Sequence, residues 1–418
     1  MKRVLIIILT LSFFTVSAQS VAEVKSIDKE YRYELYRPYP VENIDSKLTA
    51  APKGYKPFYI SHLSRHGSRW HSYASSYQDP LAILSKADKA GELTELGKRL
   101  YKDVQTLAKD AENRYGELSA IGFEQHRGIA NRMVKNYPQI FHKNCHIECR
   151  STIVPRCILS MASAVQEITR LVPTADIRME SSENNTYLKA YAGLNSIKQD
   201  AKPLSDSLQS VYLPNPEPFL NRIFKKSQNI DSKKFMLQTF MLGAILGSTP
   251  VCGIDNIDYP FTEEEIVAIW RASNLRRYAL TGPSKPFGKV IVSGVHPFVK
   301  HVITTADRAI KEGNEQATLH FAHDVTVIPF TAILGIKCGD TVSDDWEEVS
   351  YKWCINEVTP MGANIQLIFY RSNKSDDILV KILHNEREQI IDSSVATPVE
   401  SVYYRWNDIR SYLLTQIQ

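Results

Sequence analysis

Residues 56–70 read KPFYISHLSRHGSRW. The apolar run Phe58-Tyr59-Ile60 predicts a buried strand over 56–63. Directly behind it stand Arg65, His66 and Arg69, bracketing Gly67. Three potential cations repel one another. A solvated surface tolerates that repulsion; a pocket tolerates it only where an anion sits among them.

The surrounding sequence predicts the scaffold. TELGKRLYKDVQTLAKDA (94–111) repeats Leu96, Leu100, Val104 and Leu107 at three- and four-residue steps, the period of a helix, with Thr94 as its N-cap. A second helix starts at Ser119. HIECRSTIV (146–154) alternates and is β-branched, so it reads as a strand, and a helix follows from Pro155 to 172. Residues 296–313 read as a helix, ATLHFA (317–322) as a strand, and 324–335 as another helix. NIQLIFYRS (364–372) and DILVKILHN (377–385) read as a hairpin. Strands alternating with helices predict an α/β fold, a sheet covered by helices on both faces.

Residues 190–285 differ in character. They hold Pro-rich turns and several helical pieces, the clearest being 261–280 with Thr262 and Glu265 as a capping box. The expected organisation is a catalytic α/β domain from 19–189 and 286–418, with 190–285 as an inserted, mostly α-helical subdomain. Residues 19–55 read as an extended lead-in. Lys2, Arg3, the apolar run 4–16 and Val16-Ser17-Ala18 read as a signal peptide over 1–18, cleaved near Ala18. The expected mature chain is periplasmic or secreted and has no membrane span.

Formal net charge is +4, of which two units leave with Lys2 and Arg3. Near-neutral bulk charge gives no ground for a nucleic-acid partner. Cys338 and Cys354 flank one acidic loop and are the best candidates for a disulfide in an exported chain. The Cys145, Cys149, Cys157 and His146 cluster has no standard zinc spacing, so no metal is expected there.

Three segments lie at strand C-termini or the helix starts that follow: Arg65-His66-Gly67-Ser68-Arg69, Arg156, and His323-Asp324. Open α/β sheets bind ligands outside these strand ends, and helix N-termini attract anions. Arginine's planar fork matches phosphate oxygens. Clustered arginines also disfavour a cationic histidine, keeping His66 neutral and nucleophilic. Gly67 permits a sharp turn and close approach to the anion. A protonated Asp324 would donate to a departing alkoxide. Singly, each residue has a plainer reading: His66 a core histidine, Arg65 and Arg69 surface charges, Asp324 a helix cap. Their combination points to phosphoryl transfer.

These motifs resemble the histidine acid phosphatase family, in the branch containing phytases and multiple inositol polyphosphate phosphatases. The R-H-G-x-R motif matches Arg65, His66, Gly67 and Arg69, and the H-D motif matches His323 and Asp324. GELSAIGFEQHRGIANRM, RSTIVPRCILSMASAV and TPMGANIQLIFYR are similar to the family's intervening segments, in order. The resemblance implies His66 as nucleophile and Asp324 as proton donor. It implies Arg65, Arg69, Arg156 and His323 as phosphate ligands, no metal or other cofactor, and a variable helical domain over the site. Trp70 stands where the family often has proline, with His71 after it, and both are candidate pocket residues; a solvated loop is the plainer place for His71. Val325 follows the donor, as H-D-V rather than the H-A-E usual in inositol polyphosphate phosphatases.

The expected partner is a small-molecule phosphate ester, phytate or another inositol phosphate, with sugar phosphates of a broad acid phosphatase as the alternative. A non-catalytic polyanion-binding protein would keep the arginines but need neither His66 nor Asp324. Lys225, Lys226, Arg271, Arg276 and Arg277 in the insert read first as solvated charges and second as holders of extra phosphates. Nothing in the sequence addresses oligomeric state.

Overall fold

Strand β1 (Tyr55–Arg65) runs through the middle of a single eight-stranded sheet and ends at the arginine–histidine cluster. The computed structural model describes residues 29–418 apart from 43, 45, 46, 191–194 and 252. The expected signal peptide and Cys252 lie outside the described residues. The other strands are β2 (His146–Ser151), β3 (Asp176–Ser181), β4 (Ala317–Ala322), β5 (Asn364–Ser372), β6 (Ser375–His384), β7 (Arg387–Glu388) and β8 (Tyr403–Arg405). Their order is β3-β2-β4-β1-β5-β6-β7, with β8 also on β6. β1, β4, β2 and β3 are parallel, whereas β5 lies antiparallel to β1 and forms the expected hairpin with β6.

Both faces of the sheet are buried, which explains why β4 and most of β1 carry few exposed positions. Tyr59 and Leu63 of β1 join one core with Phe298, Val302, Phe330 and Trp406. Ile60 points to the opposite face and packs with Ala130, Met133, Met161 and Ile168. That second core is supplied by helices Ala120–Asn136 and Pro155–Leu171. The fold is therefore mixed α/β with helices on both faces.

Local chemistry sets the helix starts. Thr94 caps helix Glu95–Asp110 by accepting the Gly97 N–H, and Ser119 caps Ala120–Asn136 through Gly122. Pro155 opens its helix at the first turn. Thr262 and Glu265 complete a reciprocal capping box on Glu263–Thr281.

The insert supplies helices Asn195–Tyr212, Glu217–Ile223, Ser232–Ile245 and Glu263–Thr281. Its core is shared with earlier chain: Phe219, Phe235 and Trp270 pack with Tyr77, Leu84 and Leu100 from helices Ser75–Lys89 and Glu95–Asp110. The lead-in is less extended than the sequence implied. Residues Lys29–Tyr36 wind as a 3-10 helix, and Leu35 and Tyr36 are buried in a seam with Leu208, Ile245 and Leu275 on one side and Ile328, Val358 and Met361 on the other. Burying a leucine fully is worth about 1.5–3 kcal/mol, which anchors this segment just before Pro38 bridges Met361.

The disulfide expectation is corrected by the structure. Cys338 is a free thiol, as are Cys145, Cys149 and Cys157, so Cys338 and Cys354 are not joined. Cys338 packs beside His384, with its Sγ 3.5 Å from Nδ1, whereas Cys354 joins the helical core and turns its thiol toward the Ser350 carbonyl. Each sulfur is already engaged in its own environment. Cys145 and Cys149 lie in the apolar core under the sheet, and Cys157 faces His323. No helix among the described residues is long and apolar enough to cross a membrane.

Candidate active site

The backbone of His66 is held between two strands. Its N–H donates to the Ala322 carbonyl at the end of β4 (3.0 Å), and its carbonyl accepts the Gly362 N–H at the entry to β5 (3.0 Å). Arg65 N–H donates to the Ala363 carbonyl (2.8 Å). Gly67 then lies flat against Gly122: a Cβ on Gly67 would sit 2.5 Å from the Gly122 carbonyl oxygen. Its N–H donates to Ser160 Oγ (3.1 Å), and the Ser68 N–H donates to Gln125 Oε1 (2.8 Å). The loop after β1 is thus clamped on the two helices of one sheet face.

The cations converge on His66. Arg65 is fully buried, and its Nη1 donates to the carbonyls of Leu35 (2.8 Å) and Thr359 (2.5 Å). Its Nε and Nη2 are buried without a hydrogen-bond partner. Arg69 donates from Nη1 to the Trp70 carbonyl (2.8 Å), lies 5.4 Å from the Tyr36 ring centre, and also leaves a buried Nε unpaired. Arg156, at the start of its helix, lies against Gly116, whose Cβ would be 3.5 Å from Nη1. His323 places Nε2 3.2 Å from Thr152 Oγ1 and 3.7 Å from Cys157 Sγ. The rings of His66 and His323 are 5.6 Å apart. Buried guanidinium donors with nothing to donate to are costly, and an anion with several oxygens would satisfy them.

The electrostatics favour a neutral, nucleophilic histidine. Burial, then Arg69, Arg65, Arg156 and His323, push the His66 pKa well below its ordinary value. Its Nδ1 lies 2.9 Å from the Gly67 carbonyl. A carbonyl only accepts, so Nδ1 carries the proton and Nε2 keeps its lone pair. Burial, then Arg156, brings His323 down to about 4. Arg65 falls to about 10 through burial and remains charged at neutral pH.

Asp324 opens helix Asp324–Ile333 and accepts the Val325 N–H (3.0 Å). Burial alone would raise its pKa, but Arg65, Arg277, His323 and Arg69 outweigh burial and hold it at about 2. A dianion entering the cluster would cancel much of that positive field and return Asp324 toward a protonated form. The arrangement is suited to in-line transfer of a phosphoryl group between a leaving oxygen and Nε2.

All six motif residues therefore meet in one place. The two pocket candidates do less. His71 is buried, with Nδ1 2.8 Å from the Tyr36 hydroxyl and Nε2 3.0 Å from the Met241 carbonyl, leaving no ring nitrogen for a ligand. Its expected solvated position is thereby corrected. Trp70 packs on the helical core, donates Nε1–H to Asp110 (2.8 Å), and carries Arg114 over its ring at 5.1 Å. Among the insert cations, Lys225 reaches the Gly91 carbonyl (3.0 Å), Lys226 approaches Glu92 (3.8 Å) and Arg271 pairs with Glu347. Arg277 instead faces the cluster through Asp324. Glu34, Tyr36 and Gln125 are site components that the sequence did not single out, and Arg277, read there first as a solvated charge, faces Asp324 instead. A run of aromatic and apolar residues in the lead-in, YRYELYRPYP (31–40), was the one available hint for the first two.

The model of the histidine phosphatase superfamily (branch 2) matches residues 59–385. No curated protein is similar enough in sequence to be matched. Among solved structures, the chain is similar to the Bifidobacterium longum multiple inositol polyphosphate phosphatase in complex with inositol hexasulfate, with TM-score 0.75 and 19% identity over 92% of this chain and 97% of that one. It is also similar to the phytase from D. castellii, with TM-score 0.69 and 17% identity over 93% of this chain and 85% of that one. Apo Hafnia alvei phytase aligns at TM-score 0.52 and 12% identity over 88% of this chain and 98% of that one. With the family match spanning most of the sequence, the chain belongs to branch 2 of the histidine phosphatase superfamily, the histidine acid phosphatases, and is a phosphomonoesterase of that family.

Proposed function

We propose that this chain is an exported phosphomonoesterase that works through a phosphohistidine and hydrolyses phytate or other inositol phosphates. The observation that carries the mechanism is the lone pair of His66 Nε2 in a ring of cations, with three unpaired guanidinium nitrogens on Arg65 and Arg69. Arg65, Arg69, Arg156 and His323 bind the phosphoryl oxygens. Nε2 attacks phosphorus as the ester P–O bond breaks, and Asp324 gives its proton to the departing oxygen. Water then attacks the phosphohistidine and loses a proton to the Asp324 carboxylate. The P–N bond breaks, its electron pair returns to the imidazole, and orthophosphate leaves.

Inositol phosphates are favoured by the likeness of fold to an inositol polyphosphate phosphatase crystallised with inositol hexasulfate and to phytases. Export is favoured by the basic, apolar and small-residue pattern of residues 1–18. A broad sugar-phosphate phosphatase is the second reading. It is favoured by the H-D-V donor sequence and by insert cations that are engaged with their own neighbours.

The test is phosphate release by the mature chain from phytate and glucose 1-phosphate, side by side, with EDTA present. Faster release from phytate supports the first reading, and faster release from the sugar phosphate supports the second. Release unaffected by His66→Ala would sink the mechanism common to both.

A further inference from the structure

Glu34 is a buried carboxylate with strained backbone. It has no exposed surface, and its φ of 45° with ψ of −133° lies where residues with a side chain are seldom found. Such strain persists only where the surroundings over-determine it, and it collects at functional sites. Here Oε2 accepts the Leu35 N–H (2.7 Å), Oε1 accepts the Ser273 hydroxyl (2.8 Å), and Arg277 Nε lies 3.4 Å from Oε1. The Glu34 carbonyl accepts from Asn356 Nδ2 (2.9 Å), and the next carbonyl, of Leu35, holds Arg65. Glu34 and Leu35 together thus tie the N-terminal turn to two of the cations that face Asp324, Arg277 and Arg65.

Arg277 carries the consequence. It is paired with Glu34 and feels the charge of Asp324, with Tyr36 contributing as well. Two like charges, Arg65 and Arg276, stand beside it, and Arg276 is itself 4.0 Å from Asp206. Asp324 is faced by Arg65 and Arg69 from β1 and its following loop, by His323 from the end of β4, and by Arg277 from helix Glu263–Thr281. A bound phosphoryl dianion neutralises the arginines of the cradle. Arg277 comes from another element, and its undivided charge would keep Asp324 ionised and unable to donate. The Glu34 carboxylate supplies a counter-charge 3.4 Å from the Nε of the same guanidinium.

We propose that Glu34 is a positioning residue for proton donation, which holds Arg277 and balances its charge so that Asp324 carries a proton in the substrate complex. The proposal rests on the donor role given above to Asp324.

The test is kcat against pH for wild type, Glu34→Gln and Arg277→Gln, on glycerol 2-phosphate and on p-nitrophenyl phosphate. An alkoxide needs the proton and p-nitrophenolate hardly does, so ionisation of Asp324 appears as an alkaline fall on the alkyl ester. Glu34→Gln moves that fall to lower pH by about one unit, and Arg277→Gln moves it to higher pH. The aryl ester shows smaller movements. A purely structural role would lower kcat on both esters without opposite displacements. If folded, active Glu34→Gln keeps the wild-type profile, this proposal is overturned and the phosphohistidine mechanism stands. A wild type that releases no phosphate overturns both. Where Glu34→Gln does not fold, Arg277→Gln decides: an alkaline fall that stays in place or moves down overturns the proposal.

Discussion

In the proposed mechanism His66 attacks only while its Nε2 lone pair is free, and two features keep it so: the Gly67 carbonyl fixes the proton on Nδ1, and burial with three arginines disfavours the cation. His66→Ala removes the attacking atom and leaves the guanidinium groups in place. Phosphate release should fall by on the order of 10⁴-fold or more, while orthophosphate binding measured by calorimetry persists. Loss of binding along with turnover would mean that the histidine holds the cradle together rather than attacking. Asp324→Asn tests the other end of the transfer. Activity on an alkyl phosphate should drop by roughly 10²–10⁴-fold, and activity on p-nitrophenyl phosphate far less. Equal losses on the two esters would remove Asp324 from the donor role.

At the scale of elements, the loop after β1 keeps its shape because it touches helix Ala120–Asn136 glycine against glycine. A Cβ on Gly122 would collide with the Ser68 carbonyl and, at 2.6 Å, with Leu118 Cδ1. Backbone cannot yield as a flexible side chain does. Gly122→Ala should cost about 1–3 kcal/mol, read as a lower urea midpoint at unchanged slope. It should also lower kcat, because Ser68 moves with Arg69 beside it, and misplacement by about 1 Å costs on the order of a hundredfold. Unchanged turnover in a destabilised variant would separate loop position from catalysis. This contact was half legible: Gly67 stood out in the sequence, but its meeting with Gly122 depends on how the helix crosses the end of β1. The strand and helix boundaries were more legible, because Thr94, Ser119, Pro155 and Thr262 act within one turn of their own positions.

For the molecule as a whole, buried and half-buried histidines set the response to acid. Burial is the leading cause in every case: His62 and His126 are lowered to about 3, His301 and His384 to about 4, and His320 well below its ordinary value. Both ring nitrogens of His62 and Nε2 of His126 lack hydrogen-bond partners, so protonation in place gains nothing. The unfolded chain binds these protons near pH 6.5 and the folded chain does not. Stability is therefore complete above about pH 6.5 and declines as pH falls toward 4. Each histidine contributes a slope of up to about 1.4 kcal/mol per pH unit in that window. Urea midpoints measured from pH 7 to 4 should fall steadily, and His62→Leu should flatten the fall. A midpoint that is level or rises toward pH 4 would contradict this account.

The sequence by itself determined the residues of the candidate site and the class of the fold. Arg65, His66, Arg69, Arg156, His323 and Asp324 lie at strand ends or the helix starts that follow, and both features are written in local periodicity and capping. Tertiary structure alone decided what surrounds them. Glu34 meets Ser273 across 239 positions, and the Arg65 side chain is held by Leu35, 30 positions away. His71 is buried rather than solvated, and Cys338 is not bridged to Cys354. No short-range pattern encodes such pairings, because they arise from which faces two packed halves turn toward each other.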